Sequence, residues 1–313
     1  MPQRPRLSEK IRQEIMYASA FACAVCSAKV DHIHHIDKNN ANNIPDNLIN
    51  LCQTHHNEAH TKRELSANLS PVRLKGFRKR WYSEVALKRL KQTTASGHSD
   101  EGESFSLNAT WSYINHARLI QTASKDLVSQ VNPTLMFRLK SLGLIDESGL
   151  LIKPDNYTPA SSYLRNKVYD YYEHTDSIAL HMFYSELVDL FVSKIEVIQL
   201  DEYSWNRKFI KQMITPGTFI FVSKAQYFKK TYEDTTNAEV GVHTFKRRIE
   251  IQYMINTRNM FGMTAVTCSF TGHRSCASLL QVKSIEDVGA KRIIHCTPTA
   301  LGIGFESNFE LAH

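Results

Sequence analysis

No run of eighteen uncharged apolar residues occurs in this chain. The most apolar helical stretch, Ile178 to Ile198, is interrupted by His181, Glu186, Asp189 and Lys194, so no membrane span is expected. Internal repeats and low-complexity tracts are also missing, which leaves no basis for a repeat array or a compositionally disordered chain. Cysteine is scarce, with six residues in 313, and its distribution matters more than its number. Cys268, Cys276 and Cys296 are scattered through the C-terminal part, whereas Cys23, Cys26 and Cys52 stand among histidines. That pattern does not suit a disulfide framework and suits a metal site in a reducing compartment. The first residues, MPQRPRLSEKIRQEIMYASAFACAV, imitate a secretion signal. Glu9 and Glu14 interrupt its basic region, and cleavage near Ala20 would leave Cys23 at a ragged end, so a cytoplasmic protein is expected.

What is present is unevenly placed. Residues 1–91 carry 16 Lys and Arg against 8 Asp and Glu, while the remainder carries 22 against 23. All of the net positive charge therefore lies in the first third, as expected if that segment meets a polyanion. The same segment holds the stretch Cys23 to His60, with six of the fourteen histidines.

Along the chain, residues 7–20 suit a helix with Ser8 as N-cap, Glu9 in the first turn, and Ile11, Ile15 and Ala18 on one face. Phe21 to Cys26 reads as a metal knuckle, and Val30 to Ile36 alternates as a short strand does. An Asn-rich loop from Asn39 to Pro45 precedes a second strand or tight turn at Asp46 to Leu51. Cys52 opens a helix expected to run to about Asn68, ended by Ser70 and Pro71. Residues 72–91, VRLKGFRKRWYSEVALKRLK, form a basic helical segment. Arg73, Lys75, Arg78, Lys79, Arg80, Lys88 and Arg89, with Trp81 and Tyr82 among them, are candidate nucleic-acid contacts, the plainer alternative being a solvated amphipathic face.

Gln92 to Ser104 contains no large apolar residue and is expected to be a linker. A second domain, 105–313, is then expected to be mainly helical to about residue 200, with Tyr163 to Tyr172 and Ile178 to Phe191 as helices. Strands are expected at Gly217 to Ser223, Lys246 to Thr257, Met263 to Phe270 and Arg292 to Thr297. The fold class is α+β, a small zinc-stabilised N-terminal domain followed by a larger domain with an antiparallel sheet. Leu301-Gly302-Ile303-Gly304-Phe305 reads as a turn between strands rather than a phosphate cradle, and Lys246-Arg247-Arg248 as a solvated strand end.

Cys23 and Cys26 have the C-x2-C spacing that lets two thiolates grip one tetrahedral zinc, and Cys52 with His55 repeats it with twenty-five residues between the two pairs. A module this small buries too little apolar surface to hold together without such a crosslink. A second set remains. His34 and His35 are adjacent on the first strand, and His56 and His60 are four apart on a helix face. His55 and His56 point about 100° apart around a helix, so one can serve each set.

These residues resemble the HNH endonucleases, whose ββα-metal fold also occurs in colicin-type DNases and McrA-like restriction enzymes. The family pattern is matched by Cys23, Cys26, His34-His35-Ile36, Asn47-Leu48-Ile49-Asn50-Leu51-Cys52 and His55-His56-x3-His60, over about residues 20–65. His55 stands where the family usually has cysteine. The resemblance implies a metal-dependent DNA endonuclease with a structural Zn2+ on Cys23, Cys26, Cys52 and His55. His35 would be the general base, and Asn47 would fix the loop that orients it, with Asn50 the competing asparagine. His34, His56 and His60 would hold a catalytic Mg2+, Mn2+ or Ni2+ on the scissile phosphate, and His32 would be a further ligand or an ordinary strand residue. The expected partners are DNA, no membrane, a small-molecule or protein regulator of residues 105–313, and another copy of the chain. Family analogy points to a restriction-like or phage-defence nuclease; the alternatives are a non-catalytic zinc-stabilised DNA-binding module and a mobile-element or homing nuclease.

Overall fold

The computed structural model describes residues 7–30, 32–61, 69–94, 111–153, 172–201, 203–230, 239–246, 248–256, 259 and 272–303. In chain order its elements are α1 (Glu9–Ala18), β1 (His32–His35), β2 (Leu48–Leu51), α2 (Gln53–His60), α3 (Pro71–Thr94), β3 (Tyr113–Ile114), α4 (His116–Thr122), α5 (Lys125–Val128), α6 (Pro133–Ser141), α7 (His174–Lys194), β4 (Val197–Leu200), α8 (Arg207–Met213), β5 (Phe219–Lys230), β6 (Glu239–Lys246), β7 (Ile249–Asn256), β8 (Gly272–Val288) and β9 (Lys291–Ile303). The protein is thus a mixed α+β chain. Among the described residues, no helix is long and apolar enough to cross a membrane.

The chain forms two compact units, one of Met1–Lys91 with Glu202–Ile214, the other of Gln92–Asp201 with Thr215–His313. In the first, the Ser8 side chain accepts from the Ile11 amide and starts α1. Positive φ at Ala20 and Phe21 then turns the chain out of the helix. β1 and β2 pair antiparallel, with His34 opposite Ile49 and His35 opposite Leu48, and α2 follows directly. Ser70 caps α3, whose first residue is Pro71, where the missing amide hydrogen costs nothing. The core between these elements is small: Cys23, Ala24, Ile36, Ile49, Leu51, Ala59, Leu69 and Leu74, flanked by Phe77, Trp81 and Tyr82.

Several expectations change here. α2 ends at His60, where Thr61 caps it, and 62–68 lie outside the described residues. α3 runs to Thr94, three residues into the expected linker, and 95–104 lie outside the description. The larger difference is α8, which comes from far along the chain yet belongs to the first unit. Phe209 stacks on Tyr17 at 5.1 Å between ring centroids and meets Phe21 at 6.0 Å. Lys208 reaches Glu9 at 2.8 Å, and this hydrogen bond helps hold the Glu9 carboxyl below its usual range. Nothing local in residues 202–214 says which distant helix their apolar side chains will meet.

In the second unit the sheet is mixed rather than purely antiparallel, because β4 with β5 and β7 with β9 run parallel. Five of its strands close on themselves in the order β5-β6-β7-β9-β8 and back to β5. β9 turns back from β8 at Gly289 and is captured by β7, so it must run with β7, and closure leaves this ring without a free edge. The long β8 and β9 carry register shifts at Leu279/Leu280 and Val282/Ser284, which bend them around the ring. β6, apart from Lys246, and β8 lie outside the strand ranges expected from sequence, and Leu301 to Ile303 belong to β9 rather than a turn. The expected elements at 163–171 and 263–270, and Gly304 and Phe305, lie outside the described residues. Trp111, Phe183, Tyr184, Leu187, Phe221 and Leu279 fill the main core of this unit.

One acid in α7 is poorly placed for ionisation. Burial, with Glu186 nearby, pushes the Asp189 carboxyl up to about 7 from an ordinary value near 3.8. Its protonated form therefore fits the fold, and stability is lost as pH rises from the unfolded toward the folded value. Asp189→Asn is expected to raise stability at pH 8 by on the order of 1 kcal/mol and to change it little at pH 4, measured as the difference from wild type in denaturant melts. An unchanged difference between the two pH values would contradict this.

Candidate metal centre

Local backbone geometry builds the first half of the site. The Cys23 amide donates to the Ala28 carbonyl and the Ser27 amide donates to Cys23, both at 2.8 Å, closing a tight loop with Ser27 at φ 60°. Cys52 is the N-cap of α2, so Cys52 and His55 project from its first turn. Cys26 Sγ lies 3.8 Å from Cys52 Sγ, and Cys23 Sγ lies 3.6 Å from His55 Nδ1. Ligands about 2.3 Å (sulfur) and 2.0–2.1 Å (nitrogen) from a tetrahedral zinc would be spaced at about 3.8 and 3.6 Å. Cys52 and His55, 3.0 Å apart, are nearer to a direct hydrogen bond. All four donor atoms lie within 4.8 Å of one another, so this Cys3His group can hold a zinc ion. Burial opposes ionisation of Cys52, but the His55 amide and ring more than offset it and bring the thiol down to about 7. Burial and the neighbouring thiols push Cys26 up to about 11. Three crowded thiols cannot all become thiolates unless positive charge sits among them.

The second half uses the strand's alternation. His34 is buried, while His35 points the other way and is half exposed. The His34 ring meets His56 at 5.3 Å and His60 at 4.8 Å between centroids, and His56 and His60 are also 4.8 Å apart. Their ligand nitrogens form a second group within 4.8 Å. His34 Nε2 is buried without a hydrogen-bond partner, a costly state unless something binds there. Burial, then the neighbouring His60 and His56 rings, holds the His34 imidazole down to about 4, so near pH 7 it is neutral, the form that can ligate a metal. His56 is lowered too, by burial first. His32 is exposed, its ring 6.0 Å from His56, and it stands outside the group.

His35 Nε2 lies 2.9 Å from Asn43 Oδ1. Asn47 does not reach the ring. Its amide donates to Asp37 Oδ1 and the Asn42 carbonyl, its oxygen accepts from the Asp37 amide, and its own carbonyl accepts from Ile36. It thereby pins the chain just after His35, and Asn43 holds the imidazole. Asn50 is fully buried and donates to Ser19 Oγ and the Ala22 carbonyl, tying β2 to the knuckle. Sequence reading passed over Asn43 and Glu58, whose carboxylate lies 4.0 Å from His55 Nε2. Three-residue spacing on α2 signals Glu58, whereas nothing distinguishes Asn43 within its Asn-rich loop.

The basic helix divides by role. Arg78 donates to the carbonyls of Leu48 and Pro45, pairs with Asp46 at 3.2 Å and covers Tyr82, so it is committed to holding α3 on β2. Arg73, Lys75, Lys79 and Arg80 are exposed, with Arg80 over the Phe77 ring. The side chains of Lys88 and Arg89 lie outside the described residues. Compared with known proteins, the chain matches no family model, no curated protein and no solved structure.

Metal analysis is expected to return one ion for each of the two groups. Cys52→Ser should remove zinc and abolish cooperative unfolding of the first unit, since structural zinc supplies about 10 kcal/mol or more in small modules. His60→Ala, at an exposed position, should lose the other ion and leave the melting curve nearly unchanged. Retention of both ions by both variants would dismiss the assignment.

Proposed function

We propose that the protein is a metal-dependent DNA endonuclease of the HNH type, with His35 as general base. The observation that carries this reading is the placement of His34, His56 and His60 around a buried, unpartnered imidazole nitrogen, with His35 next to it on the opposite face of β1. A DNA-binding module held together by zinc has no structural need for that second group.

The resemblance implied Mg2+, Mn2+ or Ni2+. An all-imidazole set suits nickel or zinc best, because magnesium favours oxygen ligands. A divalent cation on this group would offset charge on the scissile phosphate and the leaving 3′ oxygen. The chain supplies the rest. With the Asn43 carboxamide oxygen accepting at 2.9 Å, His35 carries its proton on Nε2 and presents Nδ1 as the acceptor for a proton from water. Asn47 fixes the backbone behind it through Asp37. Lys75, Lys79 and Arg80 are exposed on α3 and grip backbone phosphates, which positions DNA without reading its sequence. Sequence or modification preference then falls to the second unit, in keeping with a restriction-like or phage-defence role.

Because Glu202–Ile214 belongs to the first unit, the test uses the whole chain. His35→Ala is expected to lower plasmid cleavage by about a hundredfold or more, the usual scale for a lost general base, while metal content and DNA binding stay close to wild type. Cleavage at the wild-type rate in zinc, nickel, manganese or magnesium would exclude His35 as the base. Asn43→Ala should lower the rate less, since a loosened imidazole can present either nitrogen.

A further inference from the structure

The outward face of the barrel in the second unit has a composition the nuclease reading does not use. Along β6 and β7, Val240, Val242, Ile249, Ile251 and Ile255 are buried inside, and the alternate residues face outward. Opposite one another across four strands stand Tyr227, His243, Gln252 and His295. Tyr227 is 40% exposed, Phe245 65% and Met254 45%, all on this face. Gly241, opposite Met254, is itself buried, and a Cβ there would lie 3.6 Å from the Met254 sulfur and 3.7 Å from His243 Nε2. A groove of about 520 Å³ crosses these strands, lined by His243, Gln252, Met254, Asn256, Lys283 and His295 among others.

The charges at this groove favour an anion. Glu250 is occupied by His243 at 3.1 Å, Gln252 at 2.9 Å and Lys291 at 3.9 Å, and Glu286 by His295 at 3.0 Å. Each acid orients an imidazole through one nitrogen, leaving His243 Nε2 and His295 Nδ1 for a ligand. Exposed Lys229 and Lys283 add positive charge on the same side.

We propose that this face binds single-stranded nucleic acid, with bases stacking on Phe245, Met254 and Tyr227 and phosphates meeting Lys229, Lys283 and the two imidazoles. Phe245 and the position opposite Met254 are four residues apart on β6, or about 13 Å, so the apolar seats extend beyond one base. An extended peptide would instead add to a strand edge; the five ring strands that make this face are paired on both sides, and the sheet's edges lie at β3 and β4. Stacking on side chains requires unpaired bases, so duplex DNA does not fit this use. The inference goes beyond the nuclease reading and does not rest on it.

The test measures binding of a fluorescent twenty-nucleotide single strand and of its duplex to the full chain carrying His35→Ala, so cleavage plays no part. Phe245→Ala with Met254→Ala is expected to weaken single-strand binding by about tenfold or more, with duplex binding changed less than about twofold. Both side chains are exposed, and an unchanged melting curve confirms folding. Lys229→Ala with Lys283→Ala should lower the salt slope of single-strand binding by about 1 to 1.5. Phe137→Ala, at another exposed position, serves as the control. Equal losses for single strand and duplex, no loss in either barrel variant, or displacement by a mononucleotide as readily as by the oligonucleotide would overturn the proposal.

Discussion

The convergence of four donor atoms able to hold one zinc ion sets the geometry on which the first unit depends. Cys23 and Cys26 leave one tight loop, Cys52 and His55 leave the first turn of α2, and these donors converge within one coordination sphere. Convergence fixes the rotation of α2 about its own axis. Once His55 Nδ1 faces the thiols, His56 is turned about 100° away, and the next helical turn carries His60 alongside it. The hydrophobic core of this unit is too small to impose that rotation alone. Structural and candidate catalytic groups are therefore interleaved, and losing the first would scatter the second.

The strand supplies the complementary constraint. Successive side chains on β1 point to opposite faces, so a buried His34 requires an outward His35. Asn47 and Asp37 hold the turn that follows, and Asn43 holds the ring. The pleat alone thus keeps His34, in the candidate metal group, and His35 on opposite faces of β1. The basic helix shows a similar division, because Arg78 anchors it while Lys75, Lys79 and Arg80 beside it are exposed.

The two units differ in how their shapes are enforced. The second unit has a large core and a closed ring of strands, and it tolerates buried polar groups such as the Gln226, Ser278 and Tyr253 cluster because they satisfy one another. The first unit borrows α8 from the connection between β4 and β5, where Phe209 and Ile210 are fully buried. That borrowing makes the first unit discontinuous in sequence.

Residue identity and spacing by themselves pointed to the two metal groups, the N-cap of α1, the strand at β1, and the concentration of positive charge near the N-terminus. These depend on short-range rules, helical turns, strand alternation and ligand spacing, that a linear sequence displays. Tertiary structure alone decided that Asn43 rather than Asn47 holds His35, that α8 completes the first unit, and that β7 and β9 pair in parallel to close the barrel. Each of these is a choice of partner among chemically similar, distant candidates, and such a choice is made only when the whole chain packs.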